Sequence, residues 1–224
     1  MVAKHYDINQ DMRYLQLLAQ SFPTVAEAST EIINLQAILN LPKGTEHFLA
    51  DIHGEYEAFL HVLKNASGNI KRKVNELFGN TLREQDKREL CTLIYYPEQM
   101  LEQVKQREAD INDWYHITLH QLVAVCRDVS SKYTRSKVRK SLPCDFSYII
   151  QELLHEHTED HDKAAYVNVI VDTIISTGRA DDFIVAIANV IQRLAIDQLH
   201  ILGDIYDRGP GAHIILDKMR HYHS

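Results

Sequence analysis

Two short apolar stretches, EHFLAD (46–51) and QLHILGD (198–204), read as strands in this chain, and the sequence between them reads as helix. Each stretch runs directly into an acid-containing loop, and each loop into a helical pattern. Short apolar strands of this kind belong to parallel α/β sheets, which carry their sites outside the carboxyl ends of the strands. Parallel neighbours also need a crossover connection. Here the crossover would take in about 150 positions, so the expected fold class is α/β, dominated by a long helical insertion between two site-bearing strands.

The helical reading rests on spacing and punctuation. Thr24-x-x-Glu27 is a capping-box pattern, followed by Ala28, Ile32, Leu35 and Leu39 at helical intervals. A second box, Thr81-x-x-Glu84, precedes Leu90, Leu93 and Ile94. Pro97 suits a first helical turn, where its missing N–H would have no partner anyway. Trp114, Ile117, Leu122, Val125 and Val129 mark one long amphipathic stretch, and Phe146, Ile149, Ile150, Leu153 and Leu154 another. AAYVNVIVDTIISTG should end at Gly178, with Asp181 or Asp182 capping FIVAIANVIQRLA, where Ile184, Ile187, Ile191 and Leu194 share a face.

Composition narrows the function classes. With 45% hydrophobic and 25% charged residues, the 224 residues have the make-up of a globular protein with a real core. A formal charge of −7 speaks against non-specific nucleic-acid binding and gives no reason for a membrane-surface role. No apolar run approaches the roughly 20 residues of a spanning helix, and MVAKHYDINQDMRYLQ lacks a signal-peptide core. Cys91, Cys126 and Cys144 are far apart and form no metal motif, so the expected setting is a reducing cytoplasm. Cys126, on an apolar helix face, reads as a core residue.

A strand needs no acids at its tip, whereas a site for metal ions and phosphate does. In FLADIHGEY, Asp51 and His53 stand two apart, which in an extended segment turns both side chains to one side. A carboxylate and an imidazole there suit a divalent transition metal. Gly54 removes a side chain where substrate or backbone must pass. In LHILGDIYDRGPG, Asp204 could bridge two metals, which together activate a shared water and clamp a phosphoryl group. Arg208 offers a planar fork of donors for phosphate oxygens, and Asp207 reads as a group orienting a histidine or the arginine.

These residues carry a resemblance. DIHG followed by GDIYDRG resembles the first two motifs of the calcineurin-like metallophosphoesterases, with DRG pointing to the phosphoprotein-phosphatase branch. The wide gap between the motifs, together with FLADIHGEYEAFLHVLKNASGNIKRKVNELFGNTL and SSKYTRSKVRKSLPCDFSYIIQELL, is similar to the class III fructose-1,6-bisphosphatases of Firmicutes and related bacteria. The similarity covers essentially the whole chain. It implies a dinuclear manganese hydrolase that removes the 1-phosphate of fructose 1,6-bisphosphate in gluconeogenesis, by in-line attack of metal-bound hydroxide without a phosphoenzyme. Asp51 and His53 would hold one metal and Asp204 would bridge both. Asp207 would support the catalytic histidine and Arg208 would bind phosphate.

The implied layout is N-terminal helices over 1–45, a partial metallophosphoesterase β-sandwich core over 46–68 and 196–224, and the insertion over 69–195. The family's G-N-H motif is absent before the chain reaches MRHYHS, so the second metal lacks its Asn and His ligands, and His221 and His223 are not assumed to replace them. The expectation is therefore the N-terminal part of the enzyme, with the C-terminal portion or a second copy as partner. A protein or dinucleotide phosphatase on the same scaffold is one alternative, and an inactive binding or assembly module is another.

Two further clusters stand apart. HEHTEDHDK (155–163) sets His155, His157 and His161 among acids, most simply as a solvated loop. KYTRSKVRK (132–140) collects Lys132, Arg135, Lys137, Arg139 and Lys140. That run is either a solvated segment or an anion site for a sugar phosphate or nucleotide effector.

Overall fold

The computed structural model describes residues 12–155 and 161–219. In chain order it begins with α1 (Met12–Ser21), α2 (Val25–Leu39) and β1 (Glu46–Leu49). Next come α3 (Tyr56–Asn65), α4 (Asn69–Phe78), α5 (Glu84–Tyr95), α6 (Pro97–Arg107) and α7 (Ile111–Ser130). The remaining elements are α8 (Arg135–Ser141), α9 (Ser147–His155), α10 (His161–Ser176), α11 (Ala180–Ala195), β2 (Gln198–Ile201) and α12 (Ala212–Met219). The chain divides after Pro42 into two compact units.

In the first unit the expected capping box forms. Thr24 Oγ1 accepts the Glu27 N–H at 3.2 Å, and the Thr24 N–H donates to Glu27 Oε2 at 3.0 Å. The apolar stripe that follows is not buried. Ile32, Leu35 and Leu39 are exposed, and α2 has no buried residue.

The second unit has a continuous core in which α7 and α11 pack together. α7 contributes Leu119, Leu122, Val125, Cys126 and Val129, all fully buried. α11 contributes Ile184, Ile187, Ala188 and Ile191, also fully buried. Ile184, Ile187 and Ile191 recur at three and four residues, so they lie along one side of the helix. Each buried aliphatic side chain of this size stabilises the fold by about 1.5–3 kcal/mol. Ile117, expected on the apolar face of α7, is instead exposed.

Helix ends follow local chemistry with two corrections. Pro97 opens α6 at its first turn. Gly178, at φ +72°, ends α10 with paired backbone bonds from Gly178 N–H to Ile175 O and from Arg179 N–H to Ile174 O. That is the Schellman arrangement, and its left-handed position favours glycine. Thr81 does not cap α5: its hydroxyl donates back to Phe78 O, while Glu84 is held by Lys87. Nor does either aspartate cap α11, which starts at Ala180 after Arg179 and so takes both aspartates into its first turn. Asp181 instead accepts from Tyr115 and Lys105, and Asp182 from Arg179.

The two strands pair in parallel, with His47 opposite Leu199 and Leu49 opposite Ile201. Leu49, Leu199 and Ile201 pack on the helical core, and His47 is buried. Phe48 stacks on His200 at 4.5 Å on the other face, where Phe48 is 60% exposed. Both strands are shorter than their apolar stretches. Chain direction changes before the acids are reached, so Asp51 and Asp204 lie beyond the ladder. No described helix is long and apolar enough to cross a membrane.

Candidate functional site

The two loops beyond the strands lie against each other, backbone to backbone. The His53 N–H donates to Asp204 O at 2.6 Å, the Gly209 N–H to His53 O at 2.5 Å, and the Gly211 N–H to Gly54 O at 3.0 Å. So close an approach leaves no room for side chains. A Cβ on Gly54 would lie 2.3 Å from Gly209 O. The passing backbone for which Gly54 makes room is therefore that of the second loop.

Asp51, His53 and Asp204 have φ of 53°, 51° and 54°, the left-handed region that few non-glycine residues enter. Aspartate and histidine tolerate it better than most residues, yet each instance costs on the order of 1–3 kcal/mol. Such backbone persists where its surroundings over-determine it, and at His53 and Asp204 the crossed hydrogen bonds do so. This replaces the expected reason for the pairing of Asp51 with His53. They are not alternate residues of an extended segment; a turn brings them together, with His53 Nε2 3.7 Å from Asp51 Oδ1.

His53 is the most enclosed of these groups, with 18% of its side chain exposed. Its Nδ1–H donates to Asp207 Oδ1 at 2.6 Å. That bond, with the charges of His53 and Arg208 adding to it, holds the Asp207 carboxyl below the usual carboxylate range. An ionised Asp207 can only accept, so this hydrogen bond places a proton on Nδ1 and leaves Nε2 as the ring nitrogen beside Asp51. Of the two partners weighed for Asp207, the histidine is the closer: Arg208 Nε stands 3.8 Å from Asp207 Oδ2. Arg208 is exposed at φ +134°.

An imidazole nitrogen and a carboxylate oxygen side by side could serve as donors to a divalent transition ion. The hydrogen bond from the far ring nitrogen to a carboxylate is the usual outer support of a ligating histidine. Asp51 and His53 could hold one ion as a two-point ligand, with Asp207 behind the imidazole. Among the described residues no three His, Cys, Asp or Glu side chains come together as a metal-binding group, so Asp204 is near in backbone without closing a larger donor set.

The basic run does not act as one cluster. Lys132 Nζ donates to Thr45 Oγ1 at 3.0 Å, and Lys137 is paired with Asp197 and lies over the Tyr133 ring. Lys137 and Lys140 line a cavity beside β2 together with Arg193. Arg135 and Arg139 are exposed on α8 and do not line it. Of the histidine-rich run, His155 is exposed at the end of α9, while His157 and the side chain of His161 lie outside the described residues, as do His221 and His223.

Burial, with Lys73 and Lys137 adding to it, lowers the Lys132 pKa to about 8 from an ordinary 10.5, against the pull of Asp197. Between those values the unfolded chain holds a proton that the folded chain has released. Stability therefore rises with pH through this window. Lys132→Gln should remove that rise in urea-unfolding curves taken near pH 8 and near pH 10; equal slopes in variant and parent would count against it.

The parallel strand pair of an α/β protein thus carries, on the loops at its carboxyl ends, the imidazole of His53, the carboxylates of Asp51, Asp204 and Asp207 and the guanidinium of Arg208. The chain belongs to the Firmicute fructose-1,6-bisphosphatase family, whose model matches residues 13–224. It is 75% identical over 214 residues to a protein of Bacteroides thetaiotaomicron named fructose-1,6-bisphosphatase class 3, covering 96% of this chain and 32% of that one. Identity to the class 3 enzyme of Phocaeicola vulgatus is 73% over 217 residues, covering 97% and 33%. To one of Clostridium beijerinckii it is 65% over 218 residues, again covering 97% and 33%. The chain thus spans about a third of the length of the curated relatives it matches. No solved structure matches it.

Proposed function

We propose that this chain carries part of the active site of a manganese-dependent fructose-1,6-bisphosphatase, a hydrolase removing the 1-phosphate of fructose 1,6-bisphosphate. The reading is supported above all by His53, held by Asp207 at 2.6 Å with Asp51 on its other side, in a chain 75% identical to a class 3 enzyme. Asp51 and His53 would hold one ion, and Asp204 would share a second. Arg208, exposed beside them, would take the phosphate oxygens with its planar fork. Asp207 would keep His53 in the tautomer that leaves Nε2 open. Bound metal supplies charge stabilisation at the phosphoryl group and lowers the pKa of water.

The same reading takes the strand pair as the start of a metallophosphoesterase sheet and the insertion as its helical cover. It places the reaction in gluconeogenesis and in the cytoplasm, a setting that the buried free thiols of Cys91 and Cys126 suit. The two-point donor set favours one second reading, a non-autonomous module that is completed by further polypeptide.

The test is Mn²⁺-dependent phosphate release from fructose 1,6-bisphosphate, run beside a phosphoserine peptide and a dinucleoside polyphosphate. The expected preference is for the sugar bisphosphate, with activity lost in Asp204→Ala. Silence of both proteins, with activity restored by the rest of a relative's chain, would establish the module. Faster turnover of the peptide or the dinucleotide would replace the substrate.

A further inference from the structure

We propose, independently of the phosphatase reading, that α2 is a dimerisation helix whose apolar stripe is covered by α2 of a second copy of this chain, in a parallel two-stranded coiled coil. Val25, Ala28, Ile32, Leu35 and Leu39 follow one another at steps of three, four, three and four residues. That strict alternation is the seam of a coiled coil, narrower than the stripe a helix turns towards a globular core. A step of three leads from heptad position a to position d. Val25, Ile32 and Leu39 therefore take a, and Ala28 and Leu35 take d. The seam lies open to solvent: its four large residues are between 50% and 83% exposed.

The residues of the seam select what covers it. β-Branched Val25 and Ile32 at a, with Leu35 at d, favour two parallel strands. The two charged residues of α2, Glu27 and Glu31, both stand off the seam. Glu31 flanks it at position g, which in a parallel pair faces position e of the other helix five residues on. That position holds Gln36, whose amide can donate to a carboxylate, and the two-fold axis makes the contact twice. The seam therefore suits its own copy, with no like charges brought together. A sheet or loop of further polypeptide would place no demand for steps of three and four. α2 is 15 residues long, about 22 Å at the usual helical rise, so the pair has only two heptads. Ala28, the one small residue of the seam, leaves its first half thinly filled, and the dimer should come apart on dilution.

Sedimentation equilibrium of this chain over a wide concentration range is the test. The expected result is a monomer–dimer equilibrium, weakened at least a hundredfold in Ile32→Glu and in Leu35→Glu. Ile33→Glu, equally exposed but off the seam, should dimerise as the parent does. Circular dichroism should show the same helical content in all four proteins, which separates lost pairing from lost folding. In a parallel pair like positions meet, so Val25→Cys should cross-link copy to copy on oxidation, made in a Cys144→Ser background because Cys144 is exposed. A monomer at every concentration would overturn the proposal, as would a dimer that Leu35→Glu leaves intact or that Ile33→Glu splits equally. Protection of the α2 amides from hydrogen exchange only when the rest of a relative's chain is joined on would overturn it too, and give the stripe to further polypeptide. A dimer split by Leu35→Glu in which Val25→Cys fails to cross-link would overturn the parallel pairing.

Discussion

Gly54→Ala should pull the two site loops apart and lower the Mn²⁺ affinity of the chain at least tenfold, with helical content unchanged. The added Cβ would lie 2.3 Å from Gly209 O and 2.8 Å from Gly209 C, both backbone atoms that cannot rotate away. The bonds from Gly209 to His53 and from Gly211 to Gly54 hold the loops at that distance, so relief of the clash breaks them. Gly54 also has φ +70°, which costs a side-chain-bearing residue about 1–2 kcal/mol. Gly178→Ala separates the two effects. Gly178 has φ +72° with no atom within 4 Å of an added Cβ, so that variant should lose stability through backbone strain alone and bind Mn²⁺ as the parent does. Titration of the Mn²⁺ electron paramagnetic resonance signal reads both. An unchanged affinity in Gly54→Ala would mean that the loop contact does not shape the donors.

His53→Ala should have the largest effect on metal binding, because it removes one of the two proposed donors, which stand side by side. Asp207→Ala should fall short of it, within the about 10–100-fold loss typical of an outer partner. Nitrogen-15 spectra provide a second readout independent of the ion. In the parent, His53 should carry its proton on Nδ1, donated to Asp207 at 2.6 Å, and without Asp207 the ring should show a mixture of tautomers. Equal losses in the two variants would show that Asp207 is itself a ligand. An unchanged tautomer in Asp207→Ala would show that something else orients the ring.

Much of this protein was legible along the chain because the signals involved are short. The capping box at Thr24, Pro97 at a first turn and Gly178 at a helix end depend on residues within one helical turn, and all three form as read. Thr81 and the aspartates at 181 and 182 were misread because other partners compete for them. Phe78 O takes the Thr81 hydroxyl, while Tyr115 and Lys105 reach Asp181 from distant helices. The stripe on α2 shows a different limit. Spacing says which residues share a face, not whether anything covers it.

By itself the sequence determined where the strands lie, that they run parallel, which loops carry the acids, and which family the chain belongs to. These follow from local pattern and from motifs that side-chain chemistry demands. Only the tertiary structure decided that Asp51, His53 and Asp204 adopt left-handed backbone, that Asp207 grips His53 rather than Arg208, and that Lys137 and Lys140 face a cavity from which Arg135 and Arg139 are absent. His53 and Asp207 are 154 positions apart. Whether two such groups meet depends on how the helices between them pack, and no spacing rule along the chain reaches across that distance.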